Sequence, residues 1–228
     1  MSEYYPTPAL LAPAVTRTAP FPPGGVIGAY GGVTLRFVRD EDAPAIISLI
    51  SSVWSEYPGK VLAAGRDMPE LLSPWSTYAK ADGRFWVVEA RGEIIGTVAL
   101  KPNAHDPSIV ELQKMYVAHA MRRNGLGSFL CGLVEREARE RGARAIELWS
   151  DIKLLDAHRH YRRYGFVRGP ELRFVADHSR TVQYYYRMDL TDALVAEPAI
   201  DTAILQNLVA SWAARGTRMD TVGAEVRA

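Results

Sequence analysis

Between Val33 and Val38 the chain alternates, with Val33, Leu35 and Phe37 set against Thr34, Arg36 and Val38, and its β-branched and aromatic residues predict a strand. The period then changes: Ile46, Ile47, Leu49, Ile50 and Val53 recur at helical spacing behind Asp40 or Asp42 as cap, up to Pro58-Gly59. A further helix is expected around Pro69 to Lys80. Arg84 to Ala90 and Glu93 to Leu100 are apolar, β-rich runs separated only by Arg91-Gly92, which predicts an antiparallel hairpin. Ser108 to Val117 supplies another strand. Phe129, Leu130, Leu133, Val134 and Ala138 then mark a helix closed by Gly142, Ala145 to Trp149 a short strand, Leu155 to Tyr164 a helix closed by Gly165, and Val182 to Leu190 a Tyr-rich strand. The order is mixed α/β.

Two flanking stretches break the pattern. Residues 1–32 hold Pro6, Pro8, Pro13, Pro20, Pro22 and Pro23 and then Gly24, Gly25, Gly28, Gly31 and Gly32, which predicts an irregular arm. Residues 191–228 carry Ile200, Ala203, Ile204, Leu208 and Trp212 on one helical stripe, expected to dock on the domain or on a second subunit of a homodimer. The catalytic domain is thus expected over 33–190.

Composition adds limits. Lys and Arg number 27 against 26 Asp and Glu in 228 residues, so the chain as a whole offers no electrostatic reason to expect nucleic acid or an anionic membrane as partner. The single cysteine, Cys131, cannot form an internal disulfide, which fits a reducing cytoplasm. The first residues show no signal-peptide pattern, and no apolar run approaches the roughly 20 residues that span a bilayer.

The candidate chemistry lies where the predicted strand ending at Val117 passes through Arg122-Arg123-Asn124-Gly125-Leu126-Gly127-Ser128 into a helix. Glycines without Cβ let backbone N–H groups approach phosphate oxygens, the helix start adds unpaired donors and a positive dipole end, and two arginines add charge. A triphosphate loop would need Gly-Lys-Ser or Gly-Lys-Thr, and a dinucleotide fingerprint would need Gly where Leu130 stands; neither is present.

Glu111-Leu112-Gln113-Lys114-Met115-Tyr116-Val117 followed by Arg122-Arg123-Asn124-Gly125-Leu126-Gly127 resembles the core pattern of the GCN5-related N-acetyltransferase family. Ala157 and Tyr161-Arg162-Arg163-Tyr164-Gly165-Phe166 resemble its second block, with Leu154 in place of a frequent Asn. The resemblance spans about Val33 to Leu190. It implies a mixed, mainly antiparallel sheet flanked by helices, in which two central strands splay apart into an acyl-CoA cleft. It also implies a cofactor set of Met115, Tyr116, Val117, Arg122, Arg123, Asn124, Gly125, Leu126, Gly127 and Ser128, with Met115 and Val117 pairing their backbone with pantetheine and the loop holding the pyrophosphate of acetyl-CoA. No metal is implied, and His158 and His160, two apart on a helix, point to different faces.

For catalysis the resemblance points to Tyr161 as proton donor to the departing thiolate, with an amphipathic core tyrosine the alternative, and to Glu111 as general base, with an edge carboxylate in an ion pair the alternative. Trp54, Tyr57, Trp75, Tyr78 and Trp86 fall near the acceptor side, where they either cage an acceptor or fill the core. The expected function is transfer of an acetyl group to the amine of a small molecule. A peptide or protein acceptor, or a regulatory acyl-CoA-binding domain without turnover, are the rivals.

Overall fold

A computed structural model of the chain describes residues 21–190 together with Gln206, Val209 and Ala210. Strands β1 (Val26–Tyr30) and β2 (Val33–Phe37) are followed by helices α1 (Ala43–Ser55), α2 (Ala64–Asp67) and α3 (Pro74–Lys80). The hairpin β3 (Arg84–Ala90) and β4 (Glu93–Pro102), then β5 (Ile109–Val117), lead into α4 (Leu126–Glu140). The chain continues through β6 (Ala145–Asp151), α5 (Leu155–Tyr164), β7 (Val167–Phe174) and β8 (Val182–Asp189).

All eight strands join one sheet in the order β1-β2-β3-β4-β5-β6-β8-β7. Every pairing is antiparallel except β5 with β6. The hairpin register is set by Arg91 and Gly92, both at positive φ (52° and 82°), as a two-residue turn between right-twisted strands requires. Helix α1 carries Asp42 at its N-cap, but the carboxylate is spent elsewhere: it accepts from both guanidinium nitrogens of buried Arg36 and from the Arg39 backbone N–H at 2.7 Å. Asp40 instead ties this entry to α3 through the Ser76 N–H.

Alternation along β3 explains why the sheet has helices on both faces. Trp86 and Val88 face α4, where Leu126, Phe129, Leu130, Leu133 and Val134 bury one stripe, while Phe85 and Val87 face α1 and α3 with Ile46, Ile50 and Tyr78. Each such side chain contributes roughly 1.5–3 kcal/mol through burial.

Three elements differ from the sequence expectation. Val26–Tyr30 lies inside the stretch read as an irregular arm, yet it pairs with β2 as an edge strand, with a register shift between Val26 and Gly28 that accommodates the glycine. Strand β7 was not foreseen because Gly169 and Pro170 interrupt it; as the opposite edge, next to β8 alone and shifted between Arg168 and Leu172, it tolerates both. The helix expected over Pro69 to Lys80 is a 3₁₀ turn (Pro69–Leu72) and α3, divided at Ser73 ahead of Pro74. The stripe Ile200, Ala203, Ile204, Leu208 and Trp212 lies outside the described residues. Gln206, Val209 and Ala210 are helical, and Val209 packs on the α4-side core.

Candidate active site

Strand β5 pairs with β4 along its length, but with β6 only over Ile109, Val110 and Glu111. Strand β6 meanwhile stays with β8 to its last residue, Asp151. Beyond Glu111 the two parallel strands therefore part. The break is built into β5: Lys114 takes a positive φ of 49°, its carbonyl accepts from Thr97 Oγ1 at 2.8 Å, and the register against β4 shifts there. A cleft of about 1040 Å³ opens between the strands, with Met115, Tyr116 and Val117 on one wall and Trp149, Ser150 and Asp151 on the other.

At one end of this cleft the chain leaves β5, turns through His119–Met121 and starts α4 with Gly125 at φ +81° as N-cap. A Cβ on Gly125 would meet nothing within 4 Å, so the positive φ is what calls for glycine here. Gly127 has a different reason: its Cβ would come within 3.2 Å of His160 Cε1, so its absence lets α4 and α5 approach.

Of the predicted cofactor residues, Met115, Tyr116, Val117, Arg122, Arg123, Gly125, Gly127 and Ser128 line the cleft. Leu126 turns into the core at 1% exposure and anchors the helix start, and Asn124 braces the loop through the Met121 carbonyl. Arg122 is already engaged: its guanidinium grips Glu56 with two bonds of 2.6 and 2.7 Å. Arg159 and Arg163 from α5 add positive charge to this end.

Tyr161 is buried in the cleft wall among the rings of Phe166, Tyr186 and His160. Burial raises its pKa strongly, so at neutral pH the phenol is a proton donor and not a base. Tyr116 is held in the same state, pushed up to about 12 by burial, and its oxygen accepts from Trp54 Nε1 at 3.3 Å.

Glu111, early on β5, is not among the residues that line the cleft. It is the last β5 residue paired with β6; Gln113, which does line the cleft, shares a side-chain hydrogen bond with Glu111 and accepts from Tyr78 Oη at 2.8 Å. Burial raises the Glu111 pKa while nearby Arg173 opposes the rise. Trp54 and Tyr57 line the cleft, whereas Trp75, Tyr78 and Trp86 fill the core. Cys131 is core as well: Met115 Sδ and His160 Nε2 lie 3.5 and 3.6 Å from its sulfur, and burial drives its pKa up and away from nucleophilic use. His158 and His160 serve different contacts, the first against Tyr184 and Tyr186, the second against Tyr161 and Tyr164. Among the described residues no three His, Cys, Asp or Glu side chains gather as a metal site.

A buried cluster in the cleft wall went unnoticed in the sequence. Lys60, from the segment after α1, enters it with only 5% exposure and lays its ammonium 3.8 Å from the Trp54 ring centre. It donates to Thr181 Oγ1 at 2.6 Å, and Thr181 in turn donates to Asp177. Asp151, at the end of β6, stands 2.7 Å from the same ammonium. Lys60 and Thr181 are 121 positions apart, and no local pattern announces the cluster.

The chain matches the Acetyltransferase (GNAT) family over residues 46–166 and belongs to it; it is an acyl-CoA-dependent N-acetyltransferase. It is 33% identical over 135 residues to the uncharacterized N-acetyltransferase YjgM of Escherichia coli, covering 58% of this chain and 80% of that protein. It is 40% identical over 78 residues to the aminoalkylphosphonate N-acetyltransferase of Salmonella typhimurium, covering 33% of this chain but only 51% of the relative. In fold it is similar to a GNAT acetyltransferase from Staphylococcus aureus Mu50 (TM-score 0.60, 21% identity, 70% of this chain and 99% of the other). It is also similar to an acetyltransferase from Salmonella typhimurium solved with acetyl-CoA (TM-score 0.56, 17% identity, 74% and 99%). No helix among the described residues is long and apolar enough to cross a membrane.

Proposed function

We propose that this enzyme moves the acetyl group of acetyl-CoA to the amine of a small molecule, with Tyr161 protonating the departing thiolate. The observation that carries the reading is the gap between β5 and β6, with the glycine loop at one end and Tyr161 in its wall. The β5 edge around Met115 and Val117, parted from β6, would bond the amides of pantetheine, and the N–H groups at the start of α4 would hold the pyrophosphate. A small acceptor is supported by the side chains of Trp54, Lys60 and Asp177 in the cleft wall and by the aminoalkylphosphonate named for one relative.

The thiolate leaves with a proton that a buried phenol still carries at neutral pH, and general acid assistance of this kind contributes on the order of a hundredfold or more. Tyr161→Phe keeps the ring in its aromatic cluster and deletes the hydroxyl. The expected result in thiol-release kinetics is a fall in kcat of at least roughly tenfold with acetyl-CoA affinity nearly intact, as for an interaction confined to the transition state. A lowered melting temperature with wild-type kcat would instead make Tyr161 a packing residue.

A further inference from the structure

The cations that line the cleft fall into two sets. Lys60 stands 2.7 Å from Asp151, Lys114 2.6 Å from Glu70 and Arg122 2.6 Å from Glu56, and Arg159 pairs with Asp156. Among the described residues Arg123, Arg163 and Arg173 have no such carboxylate partner. Two of these three belong with the phosphates: Arg123 is in the loop that leads into α4, and Arg163 neighbours His160, which packs on Gly127. Arg173 does not. It is carried by the edge strand β7, and the register runs from it to Gln183 on β8 and on to Asp151 on β6, one row on one face of the sheet. That face looks toward α1, since Asp151 meets Lys60 and the Lys60 ammonium lies on the ring of Trp54; Tyr161 and the start of α4 belong to the other face.

Arg173 is also held in place. Its Nε donates to Gln183 Oε1 at 2.8 Å, and its guanidinium carbon lies 4.6 Å from the centre of the Trp149 ring. Trp149 belongs to β6, the strand that borders the gap, so the guanidinium leans back across β8 toward the cleft instead of out from the sheet edge. The carboxylates that act on Arg173 through space, Glu111 and Glu147, are committed elsewhere. Glu147 accepts from Asn103 and from Tyr185 Oη at 3.2 Å, and Glu111 shares a hydrogen bond with Gln113. The terminal nitrogens of Arg173 therefore keep their donors, in a fork that the ring and the amide have already ordered. An anion bound there requires little further loss of side-chain freedom.

We infer that Arg173, with Gln183 beside it, binds a carboxylate on the acceptor, so that the acceptor is an amine whose short carbon chain ends in an acid group. The proposal rests on the acetyl-transfer reading above and extends it to what the amine must carry. A guanidinium fork takes a planar carboxylate through two parallel bonds, which an ammonium at the same place cannot do. Trp149 offers a flat apolar wall to the carbons in between. Neighbouring strands lie about 4.8 Å apart, so an anion beside a guanidinium that leans over β6 is roughly 5–10 Å from the gap between β5 and β6. That distance is spanned by a chain of a few carbons, with the acid on Arg173 and the amine at the gap, where the sheet opens toward Tyr161.

The test uses the full chain, saturating acetyl-CoA and three matched pairs of probes: β-alanine with 3-amino-1-propanol, 4-aminobutanoate with 4-amino-1-butanol, and 5-aminopentanoate with 5-amino-1-pentanol. At least one acid is acetylated by the wild type with kcat/KM at least about tenfold above that of its alcohol. Arg173→Met keeps a straight apolar side chain and removes the fork. It raises the KM for that acid at least about tenfold and brings the acid-to-alcohol ratio to within about threefold of one, while the KM for acetyl-CoA stays within about twofold. An anchor remote from the reacting atoms holds ground state and transition state alike, so the loss sits in KM and not in kcat. Arg173→Lys restores only part of the preference. Arg187→Met removes a positive charge from the same face of β8 but outside the cleft wall, and it keeps the preference. Acid and alcohol turned over equally by the wild type, a ratio unchanged in Arg173→Met, or an equal loss in Arg187→Met overturns the proposal. A higher kcat/KM for 2-aminoethylphosphonate than for all three acids overturns the choice of carboxylate. A wild type that acetylates the alcohols alone, or binds acetyl-CoA and turns over none of the acids, overturns this inference and leaves the acetyl-transfer reading standing. A wild type that does not bind acetyl-CoA overturns that reading, and this inference with it.

Discussion

Gly125 and Gly92 form a matched pair that isolates the phosphate loop. Both sit at nearly the same positive φ, +81° and +82°, and a Cβ on either would meet nothing within 4 Å. Replacing either with alanine therefore imposes the same backbone cost and no clash, about 1–2 kcal/mol for an L-residue in the left-handed region. For a chain of this size that is a fall in Tm of roughly 2–8 °C, and it should be about equal in the two variants. They part company in acetyl-CoA affinity. Gly92 closes the hairpin between β3 and β4, away from the cleft, whereas the open space over Gly125 is what the phosphates are proposed to enter. A methyl group there displaces at least one N–H to phosphate bond, which is charge-assisted and contributes roughly 1.5–3 kcal/mol. The Kd of Gly125→Ala should then rise about 10- to 150-fold, while Gly92→Ala binds like the wild type. Calorimetric titration of acetyl-CoA into both folded variants decides it. Equal affinity in the two, at equal loss of stability, would remove the loop from cofactor binding.

Glu56→Gln should tighten acetyl-CoA binding a few-fold at low salt, because it frees the Arg122 guanidinium from its two-bond grip and removes a carboxylate from the phosphate end; calorimetry at about 50 and 300 mM salt should show the gain shrink as screening rises. Burial lowers the pKa of His158 below its unfolded value, against the opposing Asp151 carbonyl, and its Nε2 has no partner. The unfolded chain takes up a proton that the folded one refuses, so this contribution to stability is present above the unfolded pKa of about 6.5 and is lost as pH falls through it. His158→Phe should therefore show a smaller drop in Tm between pH 7.5 and 5.5 than the wild type, and an unchanged drop would place the acid sensitivity elsewhere.

Much of the scaffold was legible because its signals are local. Helix α5 follows the predicted Leu155 to Tyr164, and α4 begins three residues before Phe129, the first apolar position counted, because Gly125 starts the helix with Leu126 already buried. The Arg91-Gly92 turn was readable for the same reason: two residues at positive φ leave a compositional trace. Strands β1 and β7 were not legible, since an edge strand is relieved of half its pairing and can hold Gly28 or Gly169-Pro170 that an interior strand would refuse. The point at which the strands part was beyond the motif as well. Its spacing places Glu111 on β5, but only the pairing with β6 shows that the gap opens after it, with Gln113 in the cleft wall.

The two halves of the cleft differ in legibility because they differ in physics. Phosphate is recognised by backbone N–H groups and a helix end, so the cofactor half is encoded in one continuous strand, loop and helix, and the family pattern falls on it. The other side chains of the cleft are carried on separate segments, Trp54 and Lys60 from one, Asp151 from β6, Asp177 and Thr181 from the connection after β7, which meet only once the sheet has closed. Those segments can vary in residue and length while the splayed strands and the glycine loop stay fixed. The sequence signal of this part of the cleft is therefore spread over more than a hundred positions, and the Lys60–Asp151 ion pair becomes visible only in three dimensions.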